Sequence, residues 1–429
     1  MTINLWRFLP VLLGAFPMVT GLHQPSLAQK VSEAEVSPVF RSADDIPNLI
    51  FNSNRKKQGR TGIILPGGNI EQWDALKASI SQNYGLNFSL AYTYVLQSAY
   101  GDSDLISNHI TGSGAQAELD FAWTIFGRSG TGPKGVFGGK IESRHKLFNA
   151  NDPQSVAPSA GSIWTAASGY GLIDIAASQL WYEQHLVRDK AVIRVGKMSP
   201  FTMFDYYRYK STRSAFLGQI QTFNPTIPFP PSTLGIAAGA LLGNGLYAEA
   251  GVFDANGTPE DIGFNTLFGK GETFKIADFG WTPDFVLGGD SGSNDFHLTA
   301  WHIDKRTSAG TPEGWGVTAS AQRNFGNVVP FIRYGYASGG VTQLEHFASA
   351  GFGIEDAFGF SDDVFGVSVG WGRPSNPQFR DQYSSEVFYR MQVTPKFAVT
   401  PNVQLILDPA TDPTSDSLGI FSLRARLAL

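Results

Sequence analysis

The stretch Ser417-Leu-Gly-Ile-Phe-Ser-Leu-Arg-Ala-Arg-Leu-Ala-Leu429 alternates without a break from Phe421 onward. Phe421, Leu423, Ala425, Leu427 and Leu429 fall in one phase, and Ser422, Arg424, Arg426 and Ala428 in the other. Strand side chains point alternately to opposite faces, so this strand has one apolar wall and one cationic wall. In a lipid-embedded barrel, arginine on the outer face at mid-bilayer costs about 2–4 kcal/mol. The pattern therefore sends Arg424 and Arg426 to a watery interior and the leucines to lipid.

The same alternation runs back through the chain. Tyr84, Leu86, Phe88, Leu90, Tyr92 and Tyr94 oppose Asn87, Ser89 and Thr93. Ala117, Leu119, Phe121, Trp123 and Ile125 oppose Gln116, Glu118, Asp120 and Thr124. Phe137, Gly139 and Ile141 oppose Lys140, Glu142 and Arg144. Segments of about ten residues are what a tilted membrane strand needs. Further strands are expected near 173–187, 190–197, 233–242, 245–254, 271–281, 294–304, 314–325, 328–338, 346–360, 362–373, 382–394, 396–408 and 417–429. The total is sixteen. In 173–187 both phases mix apolar and polar residues, so its facing stays open. A long connection at 282–293, where alternation of short and long calls for a short one, leaves the count open by two.

Composition agrees with strands rather than helices. The chain has no cysteine, 48 glycines, 32 phenylalanines, 13% aromatic and 16% charged residues. Absence of cysteine excludes disulfide frameworks and thiolate metal sites, and a net charge of −5 excludes a broad basic nucleic-acid surface. Residues 1–28 read as a secretory signal, with Arg7, an apolar Phe8–Thr20 broken by Pro10 and Pro17, and small residues at Ser26-Leu27-Ala28. Residues 29–80 read as a periplasmic or lumen-touching arm, or a disordered leader over 29–60. Helical spacing of Trp73, Leu76 and Ile80 marks a short helix at its end. Residues 81–429 form the barrel.

Short connections at Arg188-Asp189, Gly243-Asn244, Gly326-Asn327, Ser361 and Thr394-Pro395 alternate with long ones at 145–172, 198–232 and 255–270. Short periplasmic turns and long outer loops, with an even strand number, characterise bacterial outer-membrane barrels. The expected fold is all-β: a transmembrane antiparallel β-barrel with a long loop folded into its lumen.

Several stretches resemble the OprB family of carbohydrate-selective porins. They are Leu180-Trp-Tyr-Glu-Gln184 followed by Val195-Gly-Lys-Met198, Gly251-Val-Phe-Asp-Ala-Asn-Gly257, Pro330-Phe-Ile-Arg-Tyr-Gly-Tyr336, and Glu386-Val-Phe-Tyr-Arg-Met-Gln-Val-Thr-Pro395 running into Val399-Thr-Pro-Asn-Val-Gln404. The resemblance implies a sixteen-stranded outer-membrane barrel that passively admits glucose and related small carbohydrates, without cofactor or catalysis. Lipid and lipopolysaccharide would be its surroundings, with monomer and homo-oligomer both open. One departure is Leu429, where such barrels usually end in an aromatic residue.

The strongest candidate site is 198–232, which mixes Phe204, Tyr206, Tyr207 and Tyr209 with Asp205, Arg208, Lys210 and Arg213. Aromatic faces pack on the C–H face of a sugar while charged groups bond its hydroxyls. The competing reading is an external loop whose tyrosines cap the rim. Interior-phase charges come next: Glu118, Asp120, Lys140, Glu142, Arg144, Arg194, Arg333, Glu386, Arg390, Arg424 and Arg426. Such charges set selectivity or brace the wall as ion pairs. The candidate solute-binding set is Arg194, Tyr206, Tyr207, Arg208, Tyr209, Arg213, Arg333, Glu386 and Arg390. Gly366-Val-Ser-Val-Gly370 matches the nucleophile elbow of hydrolases, but Phe365, Val367, Val369 and Trp371 alternate as a strand. Asp408, Asp412 and Asp416 could bridge calcium to lipopolysaccharide or be a solvated loop. The histidines have no metal-ligand spacing.

Overall fold

The computed structural model describes residues 39–429 except 56, 61–69, 107–108, 129–131, 149, 187–189 and 284–293. The signal-like segment and the Arg188-Asp189 turn lie outside the described residues. Sixteen antiparallel strands close into one barrel in strict sequence order. They are β1 (Leu86–Gly101), β2 (His109–Phe126), β3 (Lys134–Lys146), β4 (Ile173–Leu186), β5 (Ala191–Met198), β6 (Thr233–Gly243), β7 (Leu246–Asp254) and β8 (Thr273–Trp281). The second half comprises β9 (Asp295–Ile303), β10 (Gly314–Gln322), β11 (Val328–Ala337), β12 (Leu344–Glu355), β13 (Val364–Pro374), β14 (Gln382–Gln392), β15 (Phe397–Leu407) and β16 (Ser417–Ala428). No helix among the described residues is long and apolar enough to cross a membrane.

The terminal strand seals the barrel against β1, with Thr93 opposite Arg426 and Val95 opposite Arg424. Its phase is the one the alternation requires: Phe421 and Leu423 are exposed outward, while Ser422 and Arg424 are buried inward. Connection 282–294 joins two paired neighbours, β8 and β9, so the strand number stays sixteen despite its length. Between β6 and β7 the turn runs through Gly243, Asn244 and Gly245, all at positive φ. Such a tight reversal needs residues that tolerate the left-handed region. The strand expected over 346–360 stops at Glu355, and a turn containing Asp356 and Phe358 at positive φ follows.

Strand β4 explains its own ambiguous sequence. Its pairing with β3 slips twice, between Lys140 and Ile141 and between Glu142 and Arg144. A bulge adds a residue on one strand and reverses the facing beyond it. Ser178 and Gln179, adjacent in sequence, are accordingly both buried. No single phase fits such a strand.

Aromatic residues ring both ends of the outer wall. At the short-turn end Trp281 stacks on Phe296, and its Nε1 donates to the Asn244 carbonyl at 3.1 Å. At the opposite end Tyr100 contacts His109 and Phe421. Amphipathic rings suit the two membrane–water boundaries. Ser368 lies within β13, pairs with Glu386 across the ladder and is buried, so its Gly-x-Ser-x-Gly surroundings are strand and not elbow.

Among the described residues two helices precede the barrel. α2 (Ile70–Tyr84) leads into β1, and its Asp74 pairs with Lys396 in the β14–β15 turn at 2.8 Å. α1 (Ile46–Asn54) has Pro47 in its first turn and Asp45 at its N-cap, the ordinary grammar of a helix start.

Candidate functional site

The lumen is filled from two directions. From one end comes loop 199–232 between β5 and β6, from the other the segment 39–54. Met203, Phe204, Asp205, Tyr207, Lys210, Phe216, Leu217 and Ile220 of the loop are all buried. A loop carried inside must satisfy its backbone and charged groups there, and the interior phase of the wall supplies the partners. Glu386 accepts the backbone N–H groups of Leu217 and Gly218 at 2.6 and 2.9 Å. Arg424 donates to the Thr212 carbonyl at 2.6 Å. Arg333 donates to Asp205 at 2.6 Å and to the Phe223 carbonyl at 3.1 Å, and lies over the Tyr207 ring. Burial alone would raise the Asp205 carboxyl, but Arg333 and His297 hold it well below the usual carboxylate range. Burial brings the Lys210 ammonium down to about 8, partly opposed by Asp205. Its protons go to the Phe204 and Asp205 carbonyls.

The outer loops stack on this one. The Ser168 N–H donates to the Leu217 carbonyl and the Gln219 N–H to the Thr165 carbonyl, both at 2.9 Å. The Thr411 N–H reaches the Gly161 carbonyl at 3.0 Å. Asp412 accepts the hydroxyls of Ser103 and Thr414 at 2.6 Å.

Segment 39–54 enters with charges that match the wall. Asp45 receives both terminal nitrogens of Arg194 in a fork, at 2.6 and 2.9 Å. Arg194 also pairs with Glu183 at 2.7 Å, lies 4.0 Å over the Trp181 ring and is fully buried. Asp44 accepts from Ser211 at 2.6 Å and pairs with Arg213 of the inserted loop at 3.1 Å. Arg213 forks in turn onto Glu118, at 2.6 to 2.9 Å. Arg41 pairs with Asp295 and lies over the Tyr206 and Tyr247 rings. The Phe40 N–H donates to Glu249 at 2.8 Å. Beyond α1 the chain runs along the short-turn rim, where Arg55 meets Asp362 and Arg60 meets Asp363.

Between these fillings lies a cavity of about 650 Å³. Tyr206, Arg208, Tyr209, Arg213 and Arg390, all expected from the sequence, share its wall with Arg55, Lys57, Glu355 and Arg426. Arg208 and Tyr209 both donate to Glu355 at 3.0 Å. Arg194, Arg333, Glu386 and Tyr207 are placed elsewhere. The first three hold the inserted segments, and Tyr207 is packed against Phe331 with its hydroxyl on the Gln221 carbonyl. Guanidinium groups, carboxylates already paired with them and two tyrosines thus line one polar cavity. Sequence reasoning missed Arg41, Asp44, Asp45 and Lys57. A helix start at Asp45 and Pro47 is the signal that could have pointed to order there.

A family model described as "Carbohydrate-selective porin, OprB family" matches residues 148–427. The chain belongs to the OprB family. Its closed sixteen-stranded barrel is a channel architecture. The structure of Pseudomonas putida OprB at high pH superposes with a TM-score of 0.66 and 16% identity, covering 83% of this chain and 97% of that one. A Rhodopseudomonas blastica porin triple mutant superposes at a TM-score of 0.50 and 10% identity, over 80% of this chain and all of that one. Both likenesses concern the fold. Porin AaxA of Chlamydia trachomatis is 23% identical over 270 residues, 59% of this chain and 55% of that protein. The chain thus spans about half the length of the curated relatives it matches.

Proposed function

We propose that this porin admits small, neutral carbohydrates of the glucose class by passive diffusion past loop 199–232, after export by its N-terminal signal. The observation carrying the reading is the cavity where Tyr206 and Tyr209 stand beside Arg208, Arg213 and Arg390. A sugar presents hydroxyls to guanidinium groups and C–H faces to aromatic rings. Each aromatic contact contributes about 0.5–1.5 kcal/mol, enough for brief residence and weak enough for release. Arg194, Tyr207, Arg333 and Glu386 then act on the solute path by holding the walls of this passage.

Liposome swelling tests the reading. Proteoliposomes should swell faster in glucose than in amino acids or organic acids of equal size. Deleting 204–213 should raise swelling rates and erase the difference. Equal rates for all solutes in the intact protein would mean a general channel instead.

A further inference from the structure

We propose that the short-turn vestibule of the lumen holds a binding site for a small oxyanion, a carboxylate or phosphate on a hydrophilic solute, formed by Lys57 and Arg390. The inference rests on the reading of the barrel as a solute channel, but not on its preference for neutral sugar.

The case begins with an accounting of charge around the 650 Å³ cavity. Its carboxylates are already engaged. Asp44 meets Arg213 and Ser211, and Glu355 meets Arg208 and Tyr209. Asp362 meets Arg55 and the Gln58 N–H, both at 2.7 Å. Asp356 accepts the Asp362 N–H at 2.8 Å. Arg426 reaches Glu118 at 3.3 Å and Thr93 at 2.6 Å. Two cations are left over. Among the described residues no hydrogen bond or ion pair reaches the Lys57 ammonium. Among the described residues Arg390 has one hydrogen-bond partner, the Asp362 carbonyl at 2.8 Å, and its Nε is buried without any. A guanidinium nitrogen shut from water and unbonded is costly, and a carboxylate or phosphate oxygen would satisfy it with a charge-assisted bond.

Lys57 is surrounded by cations. Arg55 on its own segment, Arg390 on β14 and Arg426 on β16 act on it, and Asp362 from the β12–β13 turn is the carboxylate among its strongest neighbours; Asp44, Glu355 and Asp356 line the same cavity. Burial first, and then these guanidinium groups, bring its ammonium down to about 7. A bound anion would relieve this repulsion, as phosphate sites do elsewhere. A cavity of this size also falls within the ordinary range for small-molecule sites.

Planar-bilayer recording with gluconate, glucose 6-phosphate and glucose tests the proposal. In the wild type, one or both anions should block current at several-fold lower concentration than glucose. Lys57→Gln should raise the half-blocking concentration of that anion about five-fold relative to glucose in the same variant, a loss typical of one charged contact. Arg390→Gln should act in the same direction. Lys57 is charged below its pKa, so block by gluconate, whose own charge is constant in this range, should weaken from pH 6 to pH 8 in the wild type and stay level in Lys57→Gln. Lys57 lies outside the strands, so its variant decides the matter even where Arg390→Gln does not assemble. Anions that block no better than glucose, or an anion-to-glucose ratio unchanged in Lys57→Gln, would overturn the site. Anion block that depends on Lys57, without glucose entry, would uphold the site and remove the sugar reading.

Discussion

Arg194 and Arg390 occupy the same interior phase of one barrel and have opposite surroundings. Arg194 is fully buried, forked onto Asp45 and paired again with Glu183. Among the described residues Arg390 makes no ion pair with a carboxylate, and it faces a cavity. Strand position does not separate them. What separates them is the chain inserted opposite: 39–54 brings aspartates to the β5 side, whereas 55–60 brings Arg55 and Lys57 to the β14 side. Interior charges on a porin wall are therefore of two kinds, those consumed in holding the filling and those left for a solute.

The largest expected effect lies on the consumed side. Arg194→Met leaves Asp45 and Glu183 buried without their cation, a change that costs about 3–5 kcal/mol. Hydrogen exchange over 39–54 should become fast while the strands stay protected. Slow exchange in the variant would mean that Arg194 does not hold the segment. Asp44→Asn with Asp45→Asn attacks the same latch from the other side. It should raise single-channel conductance, roughly two-fold or more if the segment leaves the lumen, a figure set by effective pore width.

A smaller effect is expected at Arg208, whose pair with Glu355 is part-exposed. Arg208→Met should lower stability by at most about 1 kcal/mol, since water screens such pairs. Arg390→Met strands no carboxylate and should change the unfolding midpoint least of the arginine variants. A loss at Arg390 equal to that at Arg194 would erase the distinction between them.

The contact between Asp205 and Arg333 should also be indifferent to mild acid. Asp205 titrates below the usual carboxylate range when folded. A depressed folded pKa gives stability that is present above the unfolded value and lost only as pH falls through the folded one. The contribution of the Asp205–Arg333 pair to stability should therefore stay constant from pH 7 to about 4, so that Arg333→Met costs the same at both. A step in that cost near pH 5 would place the titration in another group.

The wall was legible in the sequence because alternation is local. Phe421, Leu423 and Arg424 declare their faces from three neighbours. Strand β4 was not, because two register slips break the period that would have been read. The loop announced itself by length and by its crowd of tyrosines and arginines. That Arg333 and Glu386 hold it could not be read, since a charge in the right phase looks the same whether it meets solute or protein. Segment 39–54 was least legible. It has no strand period, and its partners are remote: Asp45 and Arg194 lie 149 residues apart, Arg41 and Asp295 254.

Single-channel current in the presence of increasing glucose tests the central claim, that the inserted loop forms a passage which a sugar enters and briefly occupies. The account predicts a saturable fall in current with glucose in the wild-type porin, and no such fall once 204–213 is deleted. Current that ignores glucose in the wild type, or the same block after the deletion, would contradict it.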